Sequence, residues 1–237
     1  MASDDGTSPR EISDFLDSSL YPDLVELGGL TAALTHVARE SGIDLGSVGS
    51  ASSNRMGHLV TARVESDRGP VLIHVGSQVR WFSMSMNGDV RPWAEGGTDD
   101  LHAAVKAIDA WRNDATLSEL KSRFPFMDYD ELAQAMESGD HVATQWRLIL
   151  RDEDRPVLRE LLLEVYAHTR LRTLFPSFSM GTLRLTRDFT DRSAGQVWIA
   201  PLKDGRYRVE STTSGERVEV ESVDQAIATA DSFLAQP

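Results

Sequence analysis

Nine arginines lie between Arg147 and Arg192, at 147, 151, 155, 159, 170, 172, 184, 187 and 192, against seven acidic residues. This stretch is therefore net +2 in a chain whose formal net charge is −13. A guanidinium is a rigid fork of N–H donors that meets a carboxylate or phosphate two bonds at a time, so clustered arginines suit anion recognition. The tract is densest from Arg170 to Arg187, where Ser177, Ser179 and Thr182 add hydroxyls. Arg170, Arg172, Ser177, Ser179, Arg184 and Arg187 are the candidate ligand-binding residues, in a pocket expected between a helix and the strand after it. Arg187 shares parity with Leu183 and Leu185, the apolar face of that strand. It must find a partner, reach the strand end or meet a ligand. The competing reading is structural, with arginines tying helix to sheet through carboxylates such as Asp188 or Asp191.

Other chemistry is sparse. His168 follows Val165 by three residues, at the edge of an apolar helical stripe, and is the candidate catalytic base. Such a base needs an orienting partner, and the sequence shows none. His58 and His74 fall on two runs that can pair as a hairpin, so they could act as a base or ligand pair; ordinary sheet histidines are the alternative. The six histidines, at 36, 58, 74, 102, 141 and 168, are scattered, with no i, i+4 pair and no His-Glu-x-x-His. No phosphate-binding Gly-Lys-Ser/Thr loop and no Gly-x-Gly-x-x-Gly follows a strand. Ser179-Met-Gly181 lacks the first glycine of a nucleophile elbow. Asp99-Asp100 and Asp128 with Asp130 read as helix starts rather than as an acid–base pair across a cleft. No metal and no cofactor is expected.

Composition narrows the classes further. The 237 residues contain no cysteine, which excludes disulfides, thiolate metal sites and cysteine nucleophiles. The acidic balance argues against nucleic acid and against an anionic membrane surface. The N-terminus has neither a basic nor an apolar signal region, and the longest apolar runs, such as Leu161–Leu163, are far short of a span. A cytoplasmic protein is the expectation.

The elements that must hold these residues follow from periodicity. Residues 1–20 read as a flexible N-terminus. Residues 21–120 read as an α-β-β-β-α unit: a helix through Leu30, Leu34 and Val37; strands at 58–65, 71–75 and 79–86; and a helix carrying Leu101, Val105, Ile108 and Trp111. On the third strand Arg80, Phe82, Met84 and Met86 are placed toward the core and Trp81 away from it. Thr98 is the expected N-cap of the second helix, and Asp128 with Glu131 a capping box. Residues 121–176 read as a helical middle segment, with Asp140 and Pro156 opening two helices, the second ending near Arg172. Residues 177–237 read as strands at 182–187, 196–200, 207–210 and 217–220, then a helix opened by Ser222 and Gln225. Both ends are thus strands followed by one amphipathic helix, and Ala104, Val105 and Trp111 align with Ala226, Ile227 and Phe233. The fold class is α+β: two small antiparallel sheet/helix units, or one shared sheet, joined by the helical middle segment.

Leu174-Phe-Pro-Ser-Phe-Ser-Met-Gly-Thr-Leu-Arg-Leu-Thr-Arg187 resembles a signature of an uncharacterised actinomycete family, a domain of unknown function labelled natural product biosynthesis protein. Gly97 to Trp111, Phe124-Pro-Phe and Trp146 are similar to it in the same order. The resemblance implies association with secondary-metabolite gene clusters and supplies no reaction and no catalytic residues. The leading expectation is an accessory or binding protein that recognises a biosynthetic enzyme, a peptide or a small anionic metabolite. A cofactor-independent enzyme using His168, Arg172, Arg187 and a serine is the alternative, and an acidic immunity-type inhibitor of a basic toxin is a third.

Overall fold

The structure, a computed structural model, describes residues 12–153, 155–191 and 193–235. The chain divides into two units, Met1–Gln134 and Ala135–Pro237. The expectation for residues 1–11 lies outside the described residues. From residue 12 the chain is already packed, with Ile12 and Leu16 each 2% exposed in the first core.

The first unit contains α1 (Pro22–Leu27), α2 (Leu30–Glu40), β1 (Val48–Gly49), α3 (Gly57–Val60), β2 (Thr61–Val64), β3 (Val71–Val75), β4 (Phe82–Asn87), β5 (Pro92–Thr98), α4 (Leu101–Arg112), α5 (Leu117–Arg123) and β6 (Met127–Asp128). Its strands form a six-stranded antiparallel meander in chain order. Period-2 alternation sends Phe82, Met84 and Met86 to one face beside Val71, Ile73, Ala62 and Val64. The apolar stripes of α2 and α4 complete that core.

The helix α6 (Glu131–Ser138) precedes the helices of the second unit, α7 (His141–Asp152) and α8 (Pro156–Ala167). A 3₁₀ turn at Leu171–Thr173 leads into β7 (Phe175–Ser179), β8 (Thr182–Thr186), β9 (Gln196–Pro201), β10 (Tyr207–Ser211), β11 (Arg217–Val220) and α9 (Val223–Ala235). These five strands also pair in chain order, all antiparallel. Leu183, Leu185, Val197, Ile199 and Val209 face a core shared with Trp146 of α7, Leu161, Leu162 and Val165 of α8, and Ala226 and Ala230 of α9. The α+β class with two antiparallel sheets is thus the observed one, and the middle helices from α7 onward pack into the second core.

Several expectations are corrected. The run at 58–65 is a helical turn followed by a strand, because Thr61 turns its hydroxyl back onto the Gly57 carbonyl (2.9 Å). β4 starts at Phe82 rather than at 79. The Tyr21 hydroxyl accepts the Trp81 N–H (2.9 Å) and lies 2.9 Å from the Gly76 carbonyl, which holds 76–81 as a turn. Arg80 leaves the core and forks onto Asp23 with two 2.8 Å bonds. β5 carries a weak strand signal, since Pro92, Gly96 and Gly97 lie in it beside Trp93 and Thr98. Its glycine at 97 is needed because the Trp81 indole lies where a Cβ would stand. Asp100, not Thr98, caps α4, and Asp130, not Asp128, caps α6 through the Ala133 N–H (2.8 Å). Asp140 precedes α7 without a side-chain cap bond, and α8 stops at Ala167 with His168 extended.

Candidate functional site

β7 and β8 are joined by a two-residue turn in which both Met180 (φ 50°) and Gly181 (φ 80°) adopt positive φ. This is the twisted turn that matches a hairpin, and it fixes register. Ser179 faces Thr182, and Ser177 faces Arg184. Arg184 in turn faces Trp198, and Trp198 faces Glu210. Leu183 and Leu185 point into the core, so Arg184, Ser177 and Ser179 share the outer face of the second sheet.

The Arg184 guanidinium carbon lies 4.6 Å from the Trp198 ring centroid. The indole is held by its own bond from Nε1 to Gln196 Oε1 (2.7 Å). Arg184 Nε is shut off from solvent and has no hydrogen-bond partner. Glu210, the acid nearest along the row, is taken by Arg217 (2.7 Å). Among the described residues neither the Arg184 fork nor the hydroxyls of Ser177, Ser179 and Thr182 have a hydrogen-bond partner. With Nε sealed, this patch offers the two terminal Nη groups and three hydroxyls to an anion.

The remaining candidates go elsewhere. Arg187 lies one residue past the end of β8, which resolves its parity conflict, and it donates to the Leu234 carbonyl in the last turn of α9. A cation there also favours the negative end of the helix dipole. Arg170 Nη1 lies 2.9 Å from Asp231 Oδ1 of the same helix, an ion pair without hydrogen-bond alignment. The tie between arginines and secondary structure thus exists, but it runs to α9. Asp188 and Asp191 are occupied by turn bonds to Thr190 and Ser193. Arg172 lines a cleft of about 410 Å³ between α7 and the end of α8, with Trp146 and Tyr166. Arg151 and Arg155 pair with the adjacent acids Asp152 and Glu153, and Arg159 donates to the Leu150 carbonyl (2.7 Å). The Arg155 hydrogen bond holds the Glu153 carboxyl down at about 2. Arg192 lies outside the described residues.

Residues 140–234 match the model of a family of unknown function, DUF6193. The match begins where α7 opens and ends at the carbonyl that Arg187 caps, so it covers His168 and every candidate ligand-binding residue but neither His58 nor His74. Neither the curated proteins nor the solved structures provide a match.

His168 does not gain a catalytic setting. Its Nδ1 accepts the Leu171 N–H (3.4 Å), and its carbonyl accepts from Arg172 (3.1 Å). The ring is thus tied to the 3₁₀ turn at Leu171–Thr173, and no carboxylate among the described residues orients it. His58 belongs to α3 and bonds the Arg55 carbonyl, while the residue opposite His74 is Thr61. No group of three or more His, Asp or Glu among the described residues is placed to hold a metal, and no helix there is long and apolar enough to cross a membrane. Sequence reasoning missed Trp198. The signal that could have found it is its place two residues from Gln196 on the polar parity of β9.

Proposed function

We propose that this chain is an accessory or binding protein that recognises a carboxylate- or phosphate-bearing partner on the outer face of the second sheet. The observation that carries the reading is the Arg184 guanidinium, stacked on Trp198 with its fork unoccupied among the described residues. Cation–π stacking at such a site contributes about 0.5–1 kcal/mol. A buried unsatisfied donor costs about 1–3 kcal/mol. The arrangement therefore contributes little to the fold, and its terminal Nη donors, which are not sealed off as Nε is, stand ready for an incoming anion. A binding role also fits a chain in which no carboxylate among the described residues orients His168. Association with natural-product biosynthesis rests on the resemblance of Leu174–Arg187, and the neighbouring genes test it.

The experiment is a titration with inorganic phosphate, citrate and an acidic peptide, followed by ¹H–¹⁵N NMR and tryptophan emission. At least one probe is expected to shift the signals of Ser177, Arg184 and Trp198, with the response lost in Arg184→Ala and weakened in Arg184→Lys, which keeps the charge and loses the fork. Unchanged binding in Arg184→Ala, or no response to any probe, would refute the reading.

A further inference from the structure

We propose that the chain self-associates through the open edge of the second sheet, with β11 pairing antiparallel to β11 of a second copy. A sheet edge carries unpaired N–H and C=O groups, and folded proteins commonly blunt it. In the first unit the outer strands β1 and β6 are only two residues each. In the second unit β7 is guarded, because Pro176 has no N–H and its carbonyl takes the Gln145 side-chain amide (3.2 Å). β11 has none of these devices. It runs four residues, Arg217–Val220, without proline, glycine or lysine, and its first three are exposed. Among the described residues β10 is its one strand neighbour.

Hydrogen-bond parity shows which backbone groups the edge offers. The Ser211 N–H donates to the Glu216 carbonyl (2.9 Å), so these two form a hydrogen-bonded pair. Alternation along the register then turns the backbone of Val218 and Val220 toward β10 and that of Arg217 and Glu219 outward. The far side of β10 agrees, since the Thr212 N–H donates to the Gln196 carbonyl (2.9 Å). A second copy must therefore set Arg217 and Glu219 opposite outward-turned residues of its own. With the two-fold axis at Arg217 or at Glu219, a like charge faces its own copy, which destabilises a cross-strand pair. With the axis at Val218, Arg217 faces Glu219 of the second copy on both sides of it. That register forms about four backbone hydrogen bonds and covers the Val218 side chain, which is 40% exposed in the single chain.

The side-chain charges continue a pattern already present. Neither is a free ion: Arg217 Nε holds Glu210 (2.7 Å), and Glu219 holds Arg206 and Arg208 (3.1 Å each). On the outer face the cross-strand pair Glu210–Arg217 ends on a cation at the edge, and the pair Arg208–Glu219 ends on an anion. The two-fold axis joins the end of one row to the end of the other, so charge alternates through Glu210, Arg217, Glu219 and Arg208 across the junction. An edge complementary to itself in register and in charge selects a second copy over a foreign strand.

The test is sedimentation velocity of the full chain over roughly 1–500 μM, the range in which a small interface acts. The chain is expected to pass from monomer to dimer as concentration rises. Arg217→Glu and Glu219→Arg each set like charges opposite one another in the homodimer and should weaken it by about tenfold or more, because the axis counts each change twice. Mixed together, the two variants restore opposite charges at both pairs, so the mixture should dimerise where neither does alone. Val218→Lys, which disturbs no ion pair, should weaken the dimer as well, and circular dichroism checks that each variant is folded. Arg184→Ala should leave the equilibrium unchanged, which separates this edge from the anion patch. A dimer that Val218→Lys leaves intact, or a mixture that does not dimerise, would overturn the proposal. So would a monomer throughout, which would leave the edge to a strand from another protein.

Discussion

Both units set strands paired in chain order between two helices: α2, β1–β5 and α4 in the first, where α3 interrupts the run after β1 and β6 adds a sixth strand, and α8, β7–β11 and α9 in the second. They differ in what their arginines do. In the first unit Arg68, Arg80, Arg91 and Arg112 fasten the fold, while the Arg55 and Arg123 guanidinia have no hydrogen-bond partner among the described residues. Arg68 lies 3.7 Å from the Trp111 ring centroid and 5.2 Å from that of Trp93, and donates to the Ala115 carbonyl (2.9 Å). Arg80 holds Asp23 and the Leu20 carbonyl, Arg112 reaches the carbonyls of Asp44 and Glu65, and Arg91 pairs with Asp130. In the second unit Arg170 and Arg187 do the same for α9, but Arg172 and Arg184 have no such partner among the described residues. Arginine density is therefore a poor guide to recognition; the informative quantity is which forks the fold leaves open.

The largest effects expected are in the two cores. Trp111→Ala in the first unit and Trp146→Ala in the second should each cost about 3–5 kcal/mol. Hydrogen exchange should show protection lost first in the mutated unit; an even loss across both would end the treatment of the units as separate cores. Next comes Asp23→Asn, at about 1–2 kcal/mol, a charge-assisted bond discounted because the carboxylate is 41% exposed. Burial pushes the Asp23 carboxyl up, but the hydrogen bond and charge of Arg80 outweigh it and hold the group below its usual value. A lowered carboxyl contributes stability above its unfolded value near 3.9 and loses it as pH falls through the folded value. Wild type and Asp23→Asn should therefore differ at neutral pH and converge in acid melts. A gap that persists at low pH would assign the loss to packing. Arg187→Ala should cost about 1 kcal/mol, with fraying confined to the last turn of α9; unaltered exchange there would remove Arg187 from the fastening class.

Much of the fold was legible because its signals are local. The alternation Phe82, Met84, Met86 and the stripe Leu101, Val105, Ile108 need only nearest neighbours to be read. β5 and β7 were not read as strands, because Gly96, Gly97 and Pro176 are poor strand residues whose places are fixed by distant groups such as Trp81 and Gln145. The site was legible only in part for the same reason. The tract names Ser177, Ser179 and Arg184, and the Met180–Gly181 turn gathers them on one face. Sequence cannot show that β8 ends at Thr186, and that one-residue difference sends Arg187 to α9. Nor can it show which carboxylates are already engaged.

Arg184→Met tests most directly whether the open fork serves recognition rather than folding. The change keeps an unbranched side chain over Trp198 and deletes the unsatisfied Nε. Chemical denaturation at neutral pH should place the variant within about 0.5 kcal/mol of wild type or above it. A loss of about 1.5 kcal/mol or more would show that Arg184 fastens the second sheet as Arg80 fastens the first, and the contrast between the two units would fall.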